Sequence, residues 1–212
     1  MLHTTRTGEN AIVVHSLSRE YGRRSFIIKN LGSKRGKQYA SILQPLSIIE
    51  GDIIESSKSD LYQAKSLTIV EPLFGIRGNL YKNTISVFLS EVLFKALTEG
   101  MSEDGLYDWC RNKILLLDAL YSDFSNFHLR FLLEMTIILG FSPEKRDIIP
   151  FVTENKAQVE ELMNCDFAES MLVPMSGRQR NEIAEGLLRY ISYHSESSLN
   201  INSLKVLREI FQ

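Results

Sequence analysis

The hydrophobic period of this chain changes near residue 79, and no other feature constrains its fold as strongly. Before that point apolar residues come in short β-branched runs; after it they recur every three or four positions. The first pattern suits half-buried strands and the second suits helices that bury one face. One architecture therefore cannot serve both stretches. Ala11-Ile12-Val13-Val14-His15-Ser16 and Ser25-Phe26-Ile27-Ile28-Lys29 read as the strands of a hairpin turning at Tyr21-Gly22, with Arg23 and Arg24 in its polar turn. Leu31 to Gln38, with two glycines and three basic residues, reads as an exposed loop. Ile42 to Glu50 and Asp52 to Glu55 read as further strands, with Pro45 marking an edge or a bend. Ser57 to Asp60 is a turn, and Tyr62 to Val70 alternates loosely through Ala64, Leu67 and Ile69. Five short strands in about 70 residues is the size of a small Greek-key barrel of the OB type.

Beyond the change, Tyr81, Ile85, Phe88, Leu89, Val92 and Ala96 share one helical face, and Gly100 closes that helix. Ser102, followed by Glu103 and Asp104, predicts the start of a second helix with acids at the positive end of its dipole. Its buried stripe is Leu106, Trp109, Cys110, Ile114, Leu117 and Leu120. A third helix runs from about Ser125 to Leu139, with Phe127, Phe131, Leu132, Met135 and Leu139 inward, Gly140 as C-cap and Pro143 preventing continuation. Shorter helices follow at Glu154 to Met163, at Arg178 to His194 behind a Ser176/Gln179 capping box, and at Ser203 to Phe211. The fold class is thus α+β: an OB-fold-like barrel over residues 1–75 and an α-helical domain over 76–212. Pro72, Gly75 and Gly78 punctuate the boundary.

Composition excludes several functions. With 44% hydrophobic and 24% charged residues the chain is neither disordered nor a disulfide scaffold. No apolar run approaches the roughly 20 residues that cross a bilayer, and Met1 to Arg6 opens no secretory h-region. Cys110 and Cys165 are too few for a four-thiolate zinc site, so the expected compartment is the cytoplasm, with thiols reduced. Neither a G-x-G-x-x-G nor a Walker pattern is present, and His3, His15, His128 and His194 are not spaced as metal ligands. No cofactor and no metal are expected. Glu160-Glu161 and Glu103-Asp104 read as solvated helix charge. A thiol hydrolase built on Cys110 and His128 is a third-ranked alternative, because Cys110 falls on the apolar stripe beside Trp109.

A net charge of −2 conceals an asymmetry. Residues 1–70 carry ten Lys/Arg against six Asp/Glu, whereas 71–212 carry fourteen against twenty. Arg19, Arg23, Arg24, Lys29, Lys34, Arg35 and Lys37 lie within nineteen residues that contain one acid, Glu20. Cations on a small barrel can neutralise phosphates and release condensed counterions. Tyr21, Phe26 and Tyr39 interleave with them and could stack bases, although Phe26 fits the barrel core better. The expected DNA-binding set is Arg23, Arg24, Lys29, Lys34, Arg35, Lys37 and Tyr39, with backbone rather than base contacts and hence little sequence preference.

With strands, basic loop and helices in that order, the chain resembles the RecO family of bacterial recombination mediators. The likeness rests on Glu20-Tyr21-Gly22-Arg23, on Lys34-Arg35-Gly36-Lys37 leading to Ser41-Ile42-Leu43-Gln44-Pro45-Leu46, and on Ser90-Glu91-Val92-Leu93. It continues through Phe127-His128-Leu129-Arg130-Phe131-Leu132-Leu133, Leu139-Gly140-Phe141-Ser142-Pro143 and the closing Leu199 to Phe211. Two departures stand out. Many members carry four zinc-binding cysteines after the "LG-x-x-P" helix, whereas 143–174 holds only Cys165, so hydrophobic packing is expected there instead. The opening strand also looks short, leaving Leu2 to Arg6 as a stunted edge or the barrel incomplete. The resemblance implies a non-enzymatic repair factor that binds single- and double-stranded DNA, promotes annealing and, with a RecR-like partner, loads recombinase onto DNA covered by single-stranded-DNA-binding protein. It further implies capture of that protein's acidic C-terminal tail, for which Arg130 is the candidate cation, and a nucleoid-associated location. The alternative from a different class is a helical protein-interaction adaptor with little DNA binding of its own.

Overall fold

The computed structural model describes residues 1–30, 39, 41–55, 61–141, 143–195 and 197–211. Its N-terminal part is one five-stranded sheet: β1 (His3–Arg6), β2 (Ala11–Ser18), β3 (Gly22–Lys29), β4 (Ile48–Ile54) and β5 (Tyr62–Glu71), in the order β1-β2-β3-β5-β4. β3 and β5 run parallel and the other neighbours antiparallel. That order with that parallel pair is the topology of an OB-type barrel. Alternation along the strands gives the barrel its own core, where Val14, Phe26, Ile28, Tyr39 and Ala64 are buried together.

The opening residues do form a strand, paired with β2 from His3↔His15 to Arg6↔Ile12. They also bridge toward β4. The Met1 amino group donates to the Ser47 carbonyl at 2.8 Å, and the Leu46 amide donates to the Met1 carbonyl at 3.0 Å. The expected strand at 42–47 is absent, because Ile42 is helical and the chain turns at Pro45-Leu46, where Leu46 adopts φ 58°. A short apolar run does not by itself separate strand from buried helix. The two strands expected either side of Gly51 are one. At Gly51 the register slips, and a Cβ would lie 2.5 Å from Leu67 Cδ2 and 2.8 Å from the Lys65 carbonyl, so a glycine lets β5 approach.

The remainder is helical: α1 (Phe74–Arg77), α2 (Leu80–Ala96), α3 (Leu106–Ala119), α4 (Phe127–Ile138), α5 (Lys145–Ile148), α6 (Lys156–Asn164), α7 (Phe167–Leu172), α8 (Gly177–His194) and α9 (Ser203–Ile210). Asn79 caps α2 by accepting the Lys82 amide at 3.1 Å, and Gly140, at φ 81°, ends α4 while Phe141 N–H reaches back to Thr136 O at 2.9 Å. The Ser176/Gln179 box forms as expected. α3 starts later than Ser102 predicts. The reason is tertiary: residues 100–101 are tied to β3 by Arg23 N–H to Met101 O and Gly100 N–H to Arg23 O, both 2.7 Å. Gly22 sits in that contact with φ 59°, and a Cβ there would lie 2.3 Å from Met101 O. Tyr81, expected inward, is exposed and packs edge-on against Phe211. The short α7 carries its own capping box, Asp166 with Glu169.

One large core joins the helices to Leu2, Leu46, Ile48 and Leu73, so the sheet and helices share buried surface. α2 is its axis, with Ile85, Phe88, Leu89, Val92 and Leu93 at most 1% exposed. Ile148, Val152, Val159, Leu162, Met171 and Val173 fasten 143–174 by the hydrophobic packing expected of it.

Candidate nucleic-acid interface

Side chains alternate along β3, and that alternation decides which cations can meet a phosphate. Phe26 and Ile28 point into the barrel; Arg23, Ser25, Ile27 and Lys29 therefore face outward. The outer face near Arg23 is covered by the C-terminal end of α2 and the turn after it. Arg23 is 4% exposed, lies over the Phe94 ring at 5.2 Å and donates to Glu99 Oε2 at 3.0 Å. The same carboxylate accepts Ser25 N–H at 2.7 Å and Ser25 Oγ–H at 2.8 Å. His15 Nδ1 is 2.7 Å from Ser25 Oγ, its Nε2 is 3.1 Å from Thr5 Oγ1, and His3 and His15 both pack on Phe94. Burial lowers the Arg23 and His15 pKa values. Arg23 thus locks sheet to helix and is withdrawn from the expected DNA-binding set.

Tyr39 is a second correction. It is 8% exposed in the barrel core, where no base can stack on it. Arg24 is half-buried on β3's inward-facing side, at the turn end, with its guanidinium 4.8 Å from the Tyr62 ring centre. Lys29, five residues on, is exposed on the other face, roughly 17 Å along the strand. Arg24 and Lys29 therefore do not share a face. Lys34, Arg35 and Lys37 lie outside the described residues.

The end of the sheet that carries Lys29 gathers cations the sequence did not flag. Arg6 pairs across to Ile12 and thence to Ile28, which sets it beside the Ala11↔Lys29 rung at the same end of the sheet but on the face of Arg24 and Ile28, opposite that of Lys29. Lys65 lies on β5 two residues past the Ile27↔Gln63 rung, as Lys29 does on β3, and on the same outward face. All three are exposed, and none has an ion-pair partner among the described residues, although Asp52 faces Lys65 across the β4–β5 ladder. Recognising Arg6 required reading His3–Arg6 as a strand, and Lys65 stands out only once Ala64 is known to point inward. The opposite end, at the β2–β3 turn, is acidic: Arg19 is paired to Asp108, while Glu20, Glu103 and Asp104 are exposed without ion pairs among the described residues. Exposed acids stand near the Lys29 end as well, Glu9 before the Ala11↔Lys29 rung, Asp52 opposite Lys65 and Glu55 just past the Ile54↔Gln63 rung, so the two ends differ in the cations they offer rather than in a simple polarity of charge.

Arg130 is spent inside the helical half. Its Nε donates to Glu134 Oε1 at 2.8 Å, and one terminal nitrogen donates to the Leu162 and Cys165 carbonyls at 2.8 and 2.9 Å, closing the end of α6. Its side chain is 18% exposed, so it is not a free cation for an acidic tail. Burial pushes the Glu134 carboxyl up, but hydrogen bonds from Arg130, Lys113 and Trp109 outweigh it and hold the group below its ordinary value. Cys110 and His128 do not form a nucleophile and base. Burial pushes the Cys110 thiol up to about 12, and burial with Arg180 nearby pushes His128 down to about 3. His128 packs between Phe88 and Phe211, whereas Cys110 lines the space between α3 and the barrel. No helix among the described residues is long and apolar enough to cross a membrane.

Comparison with known proteins gives the same order of parts. Residues 1–73 match the family model described as "Recombination protein O N terminal" and residues 77–147 the one described as "Recombination protein O C terminal". Among similar curated proteins, the DNA repair protein RecO of Phocaeicola vulgatus is 28% identical over 232 residues, spanning all of this chain and 96% of that protein. RecO of Flavobacterium psychrophilum is 27% identical over 222 residues, 96% of this chain and 93% of that one, and RecO of Porphyromonas gingivalis is 31% identical over 147 residues, 68% and 60% respectively. Barrel, then helices, matched in sequence by the two halves of one recombination protein, define the class: an OB-headed protein of DNA repair and recombination. The chain belongs to the RecO family.

Proposed function

We propose that this protein is a repair and recombination mediator that grips the sugar-phosphate chain of single- and double-stranded DNA without reading sequence, promotes annealing and makes or breaks no covalent bond. The observation that carries this reading is a set of three exposed cations, Arg6, Lys29 and Lys65, with no ion-pair partner among the described residues, at the end of the sheet where β3 finishes. Lys34, Arg35 and Lys37 stay in the proposed DNA-binding set on their sequence alone, with Arg24 peripheral to it. We divide the chain into a nucleic-acid-binding part, 1–75, and a helical part, 76–212, whose net negative charge suits protein partners better than DNA. Those partners are a RecR-like protein and the acidic tail of single-stranded-DNA-binding protein, in the cytoplasm at the nucleoid. A tail ending in an aromatic needs an apolar groove with a cation beside it. The groove between α8 and α9, lined by Leu188, Tyr193, Ile201 and Leu204 with Arg189 and Lys205 beside them, offers both. Anisotropy of a labelled oligonucleotide at several salt concentrations is the test: binding falls steeply with salt and weakens on charge reversal at Lys34 and Arg35. Salt-insensitive binding, or none at low salt, would instead favour the helical-adaptor reading.

A further inference from the structure

A cavity of about 290 Å³ separates the barrel core from the helical core. Well-packed interiors leave few voids larger than a water molecule, so a space of this size between two cores is a built feature. Its walls are apolar and buried: Val14, Phe26 and Ile28 on the barrel side, Leu93, Cys110 and Ile114 on the helical side. It opens to solvent between the β2–β3 turn, β4 and α3, where Arg19, Glu20, Glu50 and Gly51 are exposed and Tyr21 and Tyr107 half-exposed. Both cations at this mouth are already neutralised, Arg19 by Asp108 and Arg111 by Glu71. Glu20 and Glu50, like Glu103 and Asp104 that line the adjoining cleft with Arg19 and Tyr107, make no ion pair among the described residues.

We infer that this cavity docks a basic peptide segment of a partner protein through one bulky apolar side chain. The walls demand an apolar anchor, and the volume, near the lower end of the roughly 300–1,000 Å³ of ligand pockets, admits a side chain rather than a helix. The acids at the mouth call for flanking cations and disfavour a phosphate chain, which distinguishes this site by chemistry from the cation-bearing surface around Lys29. A ligand here wedges between sheet and α3 and therefore senses how the two halves are set.

The probe is a fluorescein-labelled hexapeptide of four lysines flanking a central Ser-Phe, titrated with the full chain at low salt. Saturable binding is expected, at least tenfold weaker when alanine replaces the phenylalanine or glutamates replace the lysines. Glu20→Lys with Glu50→Lys weakens it at least tenfold. Should that pair disturb folding, Glu20→Gln with Glu50→Gln weakens it about threefold while circular dichroism stays unchanged. Tyr107→Ala weakens the peptide and leaves oligonucleotide binding intact; Lys29→Glu with Lys65→Glu does the reverse. Absence of saturable binding, equal binding of the glutamate peptide, or loss of oligonucleotide binding in Tyr107→Ala overturns the inference.

Discussion

Replacing Glu91 by glutamine should detach the C-terminal helix from the axis of the helical core. Glu91 sits on α2 and accepts Asn202 N–H at 3.0 Å, Ser203 N–H at 2.8 Å, Ser203 Oγ–H at 2.5 Å and the Lys95 ammonium at 2.8 Å. It caps α9, whose own N-cap residue, Asn202, makes no side-chain capping bond. Burial pushes the Glu91 carboxyl up, but the bonds from Lys95, Ser203 and Asn202 outweigh it and bring the pKa from 4.5 down to about 2. At about 1.4 kcal/mol per unit this corresponds to at most about 3 kcal/mol of stability. Glu91→Gln keeps the shape and some hydrogen bonding, so a loss of about 2 kcal/mol is expected, or about 4–8 °C in Tm for a chain of this length. A folded-state pKa below the unfolded one means the contribution is complete above pH 4.5 and disappears as pH falls toward 2. Urea denaturation of both proteins at pH 7, 5, 4 and 3 measures the gap. A gap under about 0.5 kcal/mol at pH 7, or one that stays constant down to pH 3, refutes the reasoning.

Other predictions follow from single contacts. Gly22→Ala meets both a left-handed backbone and the Met101 carbonyl, and costs about 2–4 kcal/mol in chemical denaturation. Arg23→Ala leaves Glu99 half-exposed, so it destabilises by about 1–3 kcal/mol without changing the salt slope of DNA binding. His128 is held near 3 when folded against an ordinary 6.5, so stability is complete above pH 6.5 and is lost as pH falls toward 3. His128→Leu should flatten that loss in denaturation curves taken between pH 7 and 4.

How much of this was legible depended on the distance over which each element is decided. α2, α4 and α8 are set by their own periodicity, and Gly140 and Ser176 announced the end of α4 and the start of α8, whereas α2 stops at Ala96, short of the Gly100 expected to close it. The start of α3 was not legible, because the pairing of Arg23 with 100–101 delays it from seventy-odd residues away. Ile42-Leu43 looked like strand because an apolar run packs equally well on a barrel as a helical turn. The basic cluster was visible as charge, but its use was not. Period-two alternation puts Arg23 and Lys29 on one face and Arg24 on the other, while only the fold brings Phe94 and Glu99 over Arg23. Nor does local sequence bring Lys65 onto the outward face that carries Lys29.

The central claim is that the phosphate chain meets the Lys29 end of the barrel, and the salt slope of oligonucleotide affinity tests it most directly. The slope of log K against log salt should become shallower by about 1.5 in Lys29→Ala with Lys65→Ala, as two phosphate contacts are lost, and should be unchanged in Arg23→Ala. An unchanged slope in the lysine pair, or an equal change in Arg23→Ala, would contradict it.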